Sequence, residues 1–160
     1  MPINKDEFRA ALGRFASGVT VVTTKDADGK LYGLTVSAFC SVSLEPPLIL
    51  VCIEKTTGSH RALKESEFFA VNILSEDQQY YSDQFASYLP DKFDGIEFEV
   101  NENGIPLLQN TLANLECRLV NAYDGGDHTI FVGQIEKSRI SDGKPLIYFY
   151  GNYRKMNNFG

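Results

Sequence analysis

Apolar residues recur at two periods along this chain, and the switches between those periods mark its elements. Near the start, Phe8, Leu12 and Phe15 repeat at helical spacing behind Asn4 and Glu7, a pair with the three-residue separation of a capping box. The pattern predicts a one-faced helix ending by Gly18. Val19 to Thr24 is then almost wholly β-branched, Asp28-Gly29 is a hairpin turn signal, and Leu31 to Val36 returns as a second strand. The run Leu48 to Ile53 is short, unbroken and apolar, with Pro46-Pro47 before it and Glu54-Lys55 after it, which predicts a strand buried on both faces.

Further on, Ser59 to Ser66 reads as a short helix, Phe68 to Leu74 as a strand, and Ser75 opens a second helix running through Gln79 to Phe85. The pattern weakens from Ser87 to Gln109, where Pro90, Asp94-Gly95, Asn103-Gly104 and Pro106 punctuate short apolar pieces; it reads as loop with one short strand. Strict alternation resumes from Leu112 to Ala122, placing Leu115, Cys117 and Leu119 on one face and Glu116, Arg118 and Val120 on the other. Gly125-Gly126-Asp127 turns the chain into a strand from Thr129 to Ile140, and after Asp142-Gly143 the run Leu146 to Tyr150 closes the sheet. Six or seven strands with hairpin-like links and two or three short helices predict a mainly β, predominantly antiparallel barrel with helices at its ends, a pattern a sandwich would share.

The segment between the second strand and the apolar run has a different character. Thr35, Ser37, Ser41 and Ser43 give it hydroxyls without bulk, so its donors need partners: its own backbone, as in ordinary serine turns, or an anion such as a phosphate.

Composition narrows the choice of partner. The 160 residues suit one domain, 1–160, and a net charge of −6 without any basic block argues against nucleic acid or an anionic membrane. Cys40, Cys52 and Cys117 are an odd set without a C-x-x-C, and His60 and His128 lie far apart, so neither a disulfide framework nor a metal site is expected. Reduced thiols, no apolar leader and no run approaching about 18 apolar residues predict a cytoplasmic chain. No G-x-G-x-x-G opens a helix after a strand, so a Rossmann-type dinucleotide site is not expected.

Five stretches, GRFASGVTVVTT, GLTVSAFCSVSLEPPLILVCIEK, FAVNILSEDQ, GDHTIFVGQI and PLIYFYGNYR, resemble in order and spacing the flavin reductase family, over nearly the whole chain from about Phe8 to Tyr153. The resemblance implies the FMN-binding split barrel, a homodimer with each flavin near the subunit interface, and NAD(P)H as hydride donor to FMN or FAD. It also implies a place as the small reductase component beside an oxygenase. Matched to the family's blocks, Thr35, Val36, Ser37 and Ala38, with Ser41, Val42 and Ser43, would meet the flavin ring edge and phosphate. Cys52, Glu54, Lys55 and Thr56 would end the central strand beside the cofactor, with Lys55 either a cation for the phosphate or a solvated strand end. Phe85 and Ala86, with Ser82, would wall the pocket, and Gln84 departs from an arginine common in relatives. His128 would lie beside flavin and nicotinamide as the catalytic side chain, or serve as a turn residue bonded to Asp127. Tyr153 and Arg154 would cover the cofactor or dinucleotide, or simply close the barrel. Hydride transfer between two stacked rings requires no acid, base or nucleophile, which agrees with a chain lacking a triad, paired carboxylates or a metal cluster. A non-catalytic FMN-binding electron carrier, a reductase of a ferric or other acceptor, and a flavin-free interaction module remain alternatives.

Overall fold

The computed structural model describes residues 1–157. It is mainly β with three short helices, and every strand pairing in it is antiparallel. Helix α1 (Lys5–Leu12) begins with the expected capping box, the Asn4 side chain accepting from the Glu7 N–H at 2.9 Å and Glu7 from the Asn4 N–H at 3.1 Å. No residue of α1 is buried: Phe8, Leu12 and, just beyond it, Phe15 stand in solvent, so the apolar face was legible but finds no core among the described residues.

Strand β1 (Ser17–Gly18) precedes β2 (Thr20–Lys25) and β3 (Leu31–Val36), which form the expected hairpin. Next come β4 (Phe39–Ser43), β5 (Leu48–Glu54), α2 (Gly58–Ser66) and β6 (Phe68–Ile73). After a 3-10 turn at Glu76–Gln78, α3 (Gln79–Phe85) leads to the short pair β7 (Phe98–Val100) and β8 (Pro106–Leu108). The long hairpin β9 (Ala113–Gly125) and β10 (His128–Ile140) follows, then β11 (Ile147–Phe149) and β12 (Asn152–Arg154).

Seven strands share one sheet in the order β3-β2-β6-β9-β10-β5-β4. Its two edge strands, β3 and β4, are consecutive in sequence and joined only through Ser37 and Ala38. Laid flat, seven strands would hold those edges roughly 29 Å apart, whereas the link from Val36 to Phe39 reaches at most about 11 Å. The sheet must therefore curl until its edges meet at one end, and that end is where the hydroxyl segment lies. Its interior is filled by Val22, Ile49, Val51, Ile53, Phe69, Cys117 and Phe131, with Leu115 and Leu119 packed against them as the alternation of β9 predicts.

Three expectations need correction. The run Leu48 to Ile53 is not buried on both faces: Ile49, Val51 and Ile53 are buried, while Leu48, Leu50 and Cys52 alternate with them half-exposed. The closing strand does not join the main sheet; β11 pairs with β1 and β12 in a three-stranded sheet of its own, turned at Tyr150-Gly151 with both residues at positive φ. The weakly patterned region holds a hairpin rather than one strand, fastened by the buried Asn72, which accepts from the Leu108 N–H at 3.0 Å and donates to Thr23 at 3.0 Å.

Candidate functional site

The curled end of the sheet gathers residues far apart in sequence. The Cys52 N–H donates to the Ala38 carbonyl at 3.0 Å, so the link between β3 and β4 lies against the end of β5. On the other side of β5, His128 stands opposite Glu54 and Ile130 opposite Cys52. Ser37 and Ala38 are exposed, Cys52 and His128 are half-buried, and Glu54 is exposed, so this floor has least side-chain bulk at Ser37 and Ala38. The His128 ring is fixed by Asp127, whose carboxylate lies 2.7 Å from Nδ1. That hydrogen bond, with the accompanying charge attraction, lowers the Asp127 pKa. Burial raises the Cys52 thiol, as for a packing residue and not a nucleophile.

Beside this floor runs a cleft of about 1060 Å³. One wall is β3 from Leu31 to Thr35, with Lys30; the second is Thr56, Thr57, Gly58 and Ser59, leading into α2; the third is the loop from Ala86 to Phe93. Thr57 caps α2, its hydroxyl accepting from the His60 N–H. The N–H groups of Gly58 and Ser59 fall in the first turn, which has no intrahelical acceptor and carries the positive end of the helix dipole. His60 ties that turn to β10, its Nε2 lying 2.7 Å from the Thr129 hydroxyl.

Phe85 and Gly33 set the cleft's depth. Phe85 has no exposed surface, and a Cβ on Gly33 would stand 2.4 Å from its ring, so the strand and α3 close up only because that position is glycine. Lys92 lies across this contact, half-buried, donating to the carbonyls of Phe85 at 3.0 Å and Gly33 at 3.3 Å. Burial lowers its pKa. The loop is pinned beneath it by Gln84, whose amide donates to the Lys92 and Asp94 carbonyls at 2.7 and 2.8 Å. Gln84 is thus engaged with the chain's own backbone.

Of the residues expected at the site, Thr35, Glu54, Thr56 and Ala86 line the cleft, and Ser37, Ala38, Cys52 and His128 share the floor beside it. The others do not line the cleft. Ser41, Val42 and Ser43 belong to the edge strand β4, with an irregularity in pairing between Ser41 and Ser43. An extended strand advances about 3.3 Å per residue, so the side chains of β4 are spread along the edge of the sheet. Val36 and Phe85 are buried and shape the site from behind. The Lys55 ammonium is engaged by Asp124, which ties the end of β5 to the tip of β9. Tyr153 hydrogen-bonds Ser82 at 2.6 Å and Ser82 accepts from Thr35 at 2.6 Å through its carbonyl, a chain that docks β12 and β3 onto α3; Arg154 is exposed.

Sequence reasoning missed Tyr32, Lys92 and Tyr88, which line the cleft, and the first turn of α2. The Thr56-Thr57-Gly58-Ser59 run ahead of a helical stretch was the available signal for that turn. Nothing in the weak pattern around Lys92 distinguishes it from a surface lysine.

The curled antiparallel sheet thus sets Ser37 and Ala38 beside a cleft lined by the first turn of a helix. The model of the flavin reductase like domain matches residues 12–157, and the chain belongs to that family. It is 42% identical over 154 residues to the FMN reductase (NADH) SmoA of Agrobacterium fabrum, covering 96% of this chain and 87% of that one. With the reductase subunit HsaB of a flavin-dependent monooxygenase from Rhodococcus jostii it shares 41% over 152 residues, 94% of this chain and 77% of the relative. Among solved structures, the Streptomyces globisporus NADH:FAD oxidoreductase SgcE6, in complex with NAD and FAD fragments, superposes with a TM-score of 0.91 at 34% identity, covering 96% of this chain and 93% of that one.

Proposed function

We propose that this chain is a flavin reductase that passes hydride from NADH to a flavin and supplies the reduced flavin to an oxygenase component. The observation that carries the reading is the convergence of Ser37-Ala38, Cys52, Glu54 and His128 on one floor that continues into a cleft ending at a helix N-terminus. The residues fit a flavin. Ser37 and Ala38 place no bulk in the way of a flat ring, and the first turn of α2 offers N–H donors and a favourable dipole to a phosphate. When bound, the flavin supplies a ring that accepts hydride from a reduced nicotinamide. The chain's part would be to hold the two rings together: Ser37 and Ala38 would allow close approach, and His128, held by Asp127, would orient the nicotinamide carboxamide or offset developing negative charge.

The chain acts as one domain, a split barrel paired in a homodimer. What supports pairing is apolar surface that the single chain leaves open: Phe8, Leu12 and Phe15 around α1, Val42 and Leu44 at the edge of the sheet, and the half-exposed row Leu48, Leu50 and Cys52. Among the described residues no helix is long and apolar enough to cross a membrane.

Mixing the purified chain with NADH and free FMN or FAD tests the assignment: nicotinamide oxidation that depends on added flavin is expected, with a scattering mass of twice 17.9 kDa. Flavin binding without NADH oxidation would instead leave an electron carrier, and no flavin binding an interaction module.

A further inference from the structure

Helix α2 is tied to the two strands of the floor in different ways. Toward β5 the attachment is short and runs through backbone: Lys55, Thr56 and Thr57 are the whole link, and Thr57 donates to the Glu54 carbonyl from its N–H at 3.2 Å and from its hydroxyl at 2.9 Å. Toward β10 it is a single pair of side chains. His60, the third residue of the helix, lies through Nε2 2.7 Å from the Thr129 hydroxyl, and among the described residues no other hydrogen bond joins α2 to β10.

That pair is held from both ends. Thr129 is buried in β10 directly after His128 and pairs with Ile53 of β5, while the His60 ring rests on the fully buried Phe131, centroids 5.3 Å apart and planes tilted by 59°. Ala62 and Leu63 bury the next turn of the helix. Apolar packing of this kind sets how deep α2 sits but has no direction, whereas a hydrogen bond fixes how one element lies along another.

The same side chain is turned away from any ligand. Thr56, Thr57, Gly58 and Ser59 line the cleft and His60 does not, its ring facing β10 instead. Burial, with the charges of Lys64 and Lys55, lowers its pKa, so at neutral pH the ring is uncharged and adds no cation to the first turn.

We propose that His60 is a positioning residue for His128: through the Thr129 hydroxyl it holds the start of β10 against the first turn of α2, and so keeps His128 at a fixed distance from a ligand anchored at that turn. The inference rests on the reductase reading above and adds a residue to it. Asp127 fixes the ring of His128, and His60 fixes the strand end that carries it.

Three variants of the full chain test this. Thr129→Val deletes the hydroxyl with little change of shape and suits a strand, His60→Leu removes the ring nitrogen, and His60→Gln keeps a polar group where Nε2 stood. Stopped-flow reduction by NADH of chain saturated with FMN, well below the melting temperature, should be about three- to tenfold slower in Thr129→Val and His60→Leu and within about twofold of the wild type in His60→Gln. In a His128→Ala background, Thr129→Val should cost no further rate, because the residue it positions is gone. Equal slowing in both backgrounds, a His60→Gln as slow as His60→Leu, or a wild-type rate in Thr129→Val overturns the proposal. A readout without flavin stands beside these: the Lys55 N–H donates to the Asp127 carbonyl at 3.0 Å, so its hydrogen exchange, followed by NMR, should quicken about fivefold in Thr129→Val and not in His60→Gln. A wild type that consumes no NADH sinks the reductase reading; faster Lys55 exchange in Thr129→Val then still supports the hold of His60 on β10, and unchanged exchange overturns it.

Discussion

The floor at the curled end of the sheet and the cleft beside it are built by opposite means. The floor is partly open and comes from separate pieces of chain, with the small, exposed Ser37 and Ala38 in a two-residue link and His128 at the start of β10. The cleft is walled on three sides by the same chain, with Phe85 buried behind Gly33 and Lys92 locked over both. On the proposed function, a region that one ring enters and leaves needs access, while a region that holds the rest of the ligand needs permanent walls. Each can be attacked without the other.

The largest effect is expected at the floor. Ser37→Leu places a branched side chain where close ring approach is proposed, and since Ser37 is exposed the fold has no reason to change. FMN and FAD should both weaken by about a hundredfold or more, because the ring is common to them. Unchanged titrations on a folded variant would take this link out of the site.

His128→Ala comes next and should act on turnover rather than retention. Loss of one orienting or charge-stabilising contact predicts a ten- to hundredfold slower reduction of bound flavin by NADH, about 1.4 to 2.7 kcal/mol, with little change in flavin affinity. Stopped-flow bleaching of the oxidised flavin reads the first and titration the second. A variant that sheds flavin but reduces the remainder at the normal rate would make His128 part of the retention side.

Gly33→Ala strikes the cleft instead. The new Cβ would lie 2.4 Å from the Phe85 ring and 3.4 Å from Phe93, both packed in the second core cluster, so relief requires moving α3 or its loop. Overpacking of this kind costs about 1 to 3 kcal/mol, several degrees of melting temperature for a chain this size. Melting within a degree of the wild type would mean that the Phe85 wall yields freely and is no fixed boundary.

The same contrast separates what could be read in the sequence from what could not. Elements declared by local rules were legible: the Asn4-Glu7 box, the β2-β3 hairpin at Asp28-Gly29, and the core face Leu115, Cys117 and Leu119. The floor was legible as a segment because hydroxyls without bulk interrupt the pattern at Thr35 to Ser43, though the pairing of β4 with β5 was not, since such residues carry no alternation. The cleft was largely hidden. It depends on non-local placement: α3 against β3 through one glycine, and a loop whose lysine is informative only once its ammonium is found on two carbonyls from distant residues. The face of α1 failed in another way, for its apolar stripe was read correctly and its covering surface is not in this chain's described residues.

The smallest effect concerns the clasp that keeps His128 over the floor. At the tip of the β9-β10 hairpin, Asp124 holds Lys55 and Asp127 holds His128, and in each case the hydrogen bond and attraction of the cation lower the carboxyl pKa. A carboxylate whose pKa is lower folded than unfolded contributes stability above its unfolded value, near 3.9, and that contribution disappears as pH falls through the lower, folded pKa. Both groups are exposed, so screening keeps the global effect slight, and the clasp should open locally before the sheet does. Hydrogen exchange at the tip amides should accelerate as pH is lowered below about 4, after correction for the intrinsic rate, while amides of β6 remain protected. In Asp124→Asn with Asp127→Asn, the tip should exchange rapidly at every pH, without the acid dependence. A double variant whose tip keeps the wild-type pH profile would show that backbone pairing alone holds His128 in place, and the floor would then owe its geometry to β10 and not to its charges.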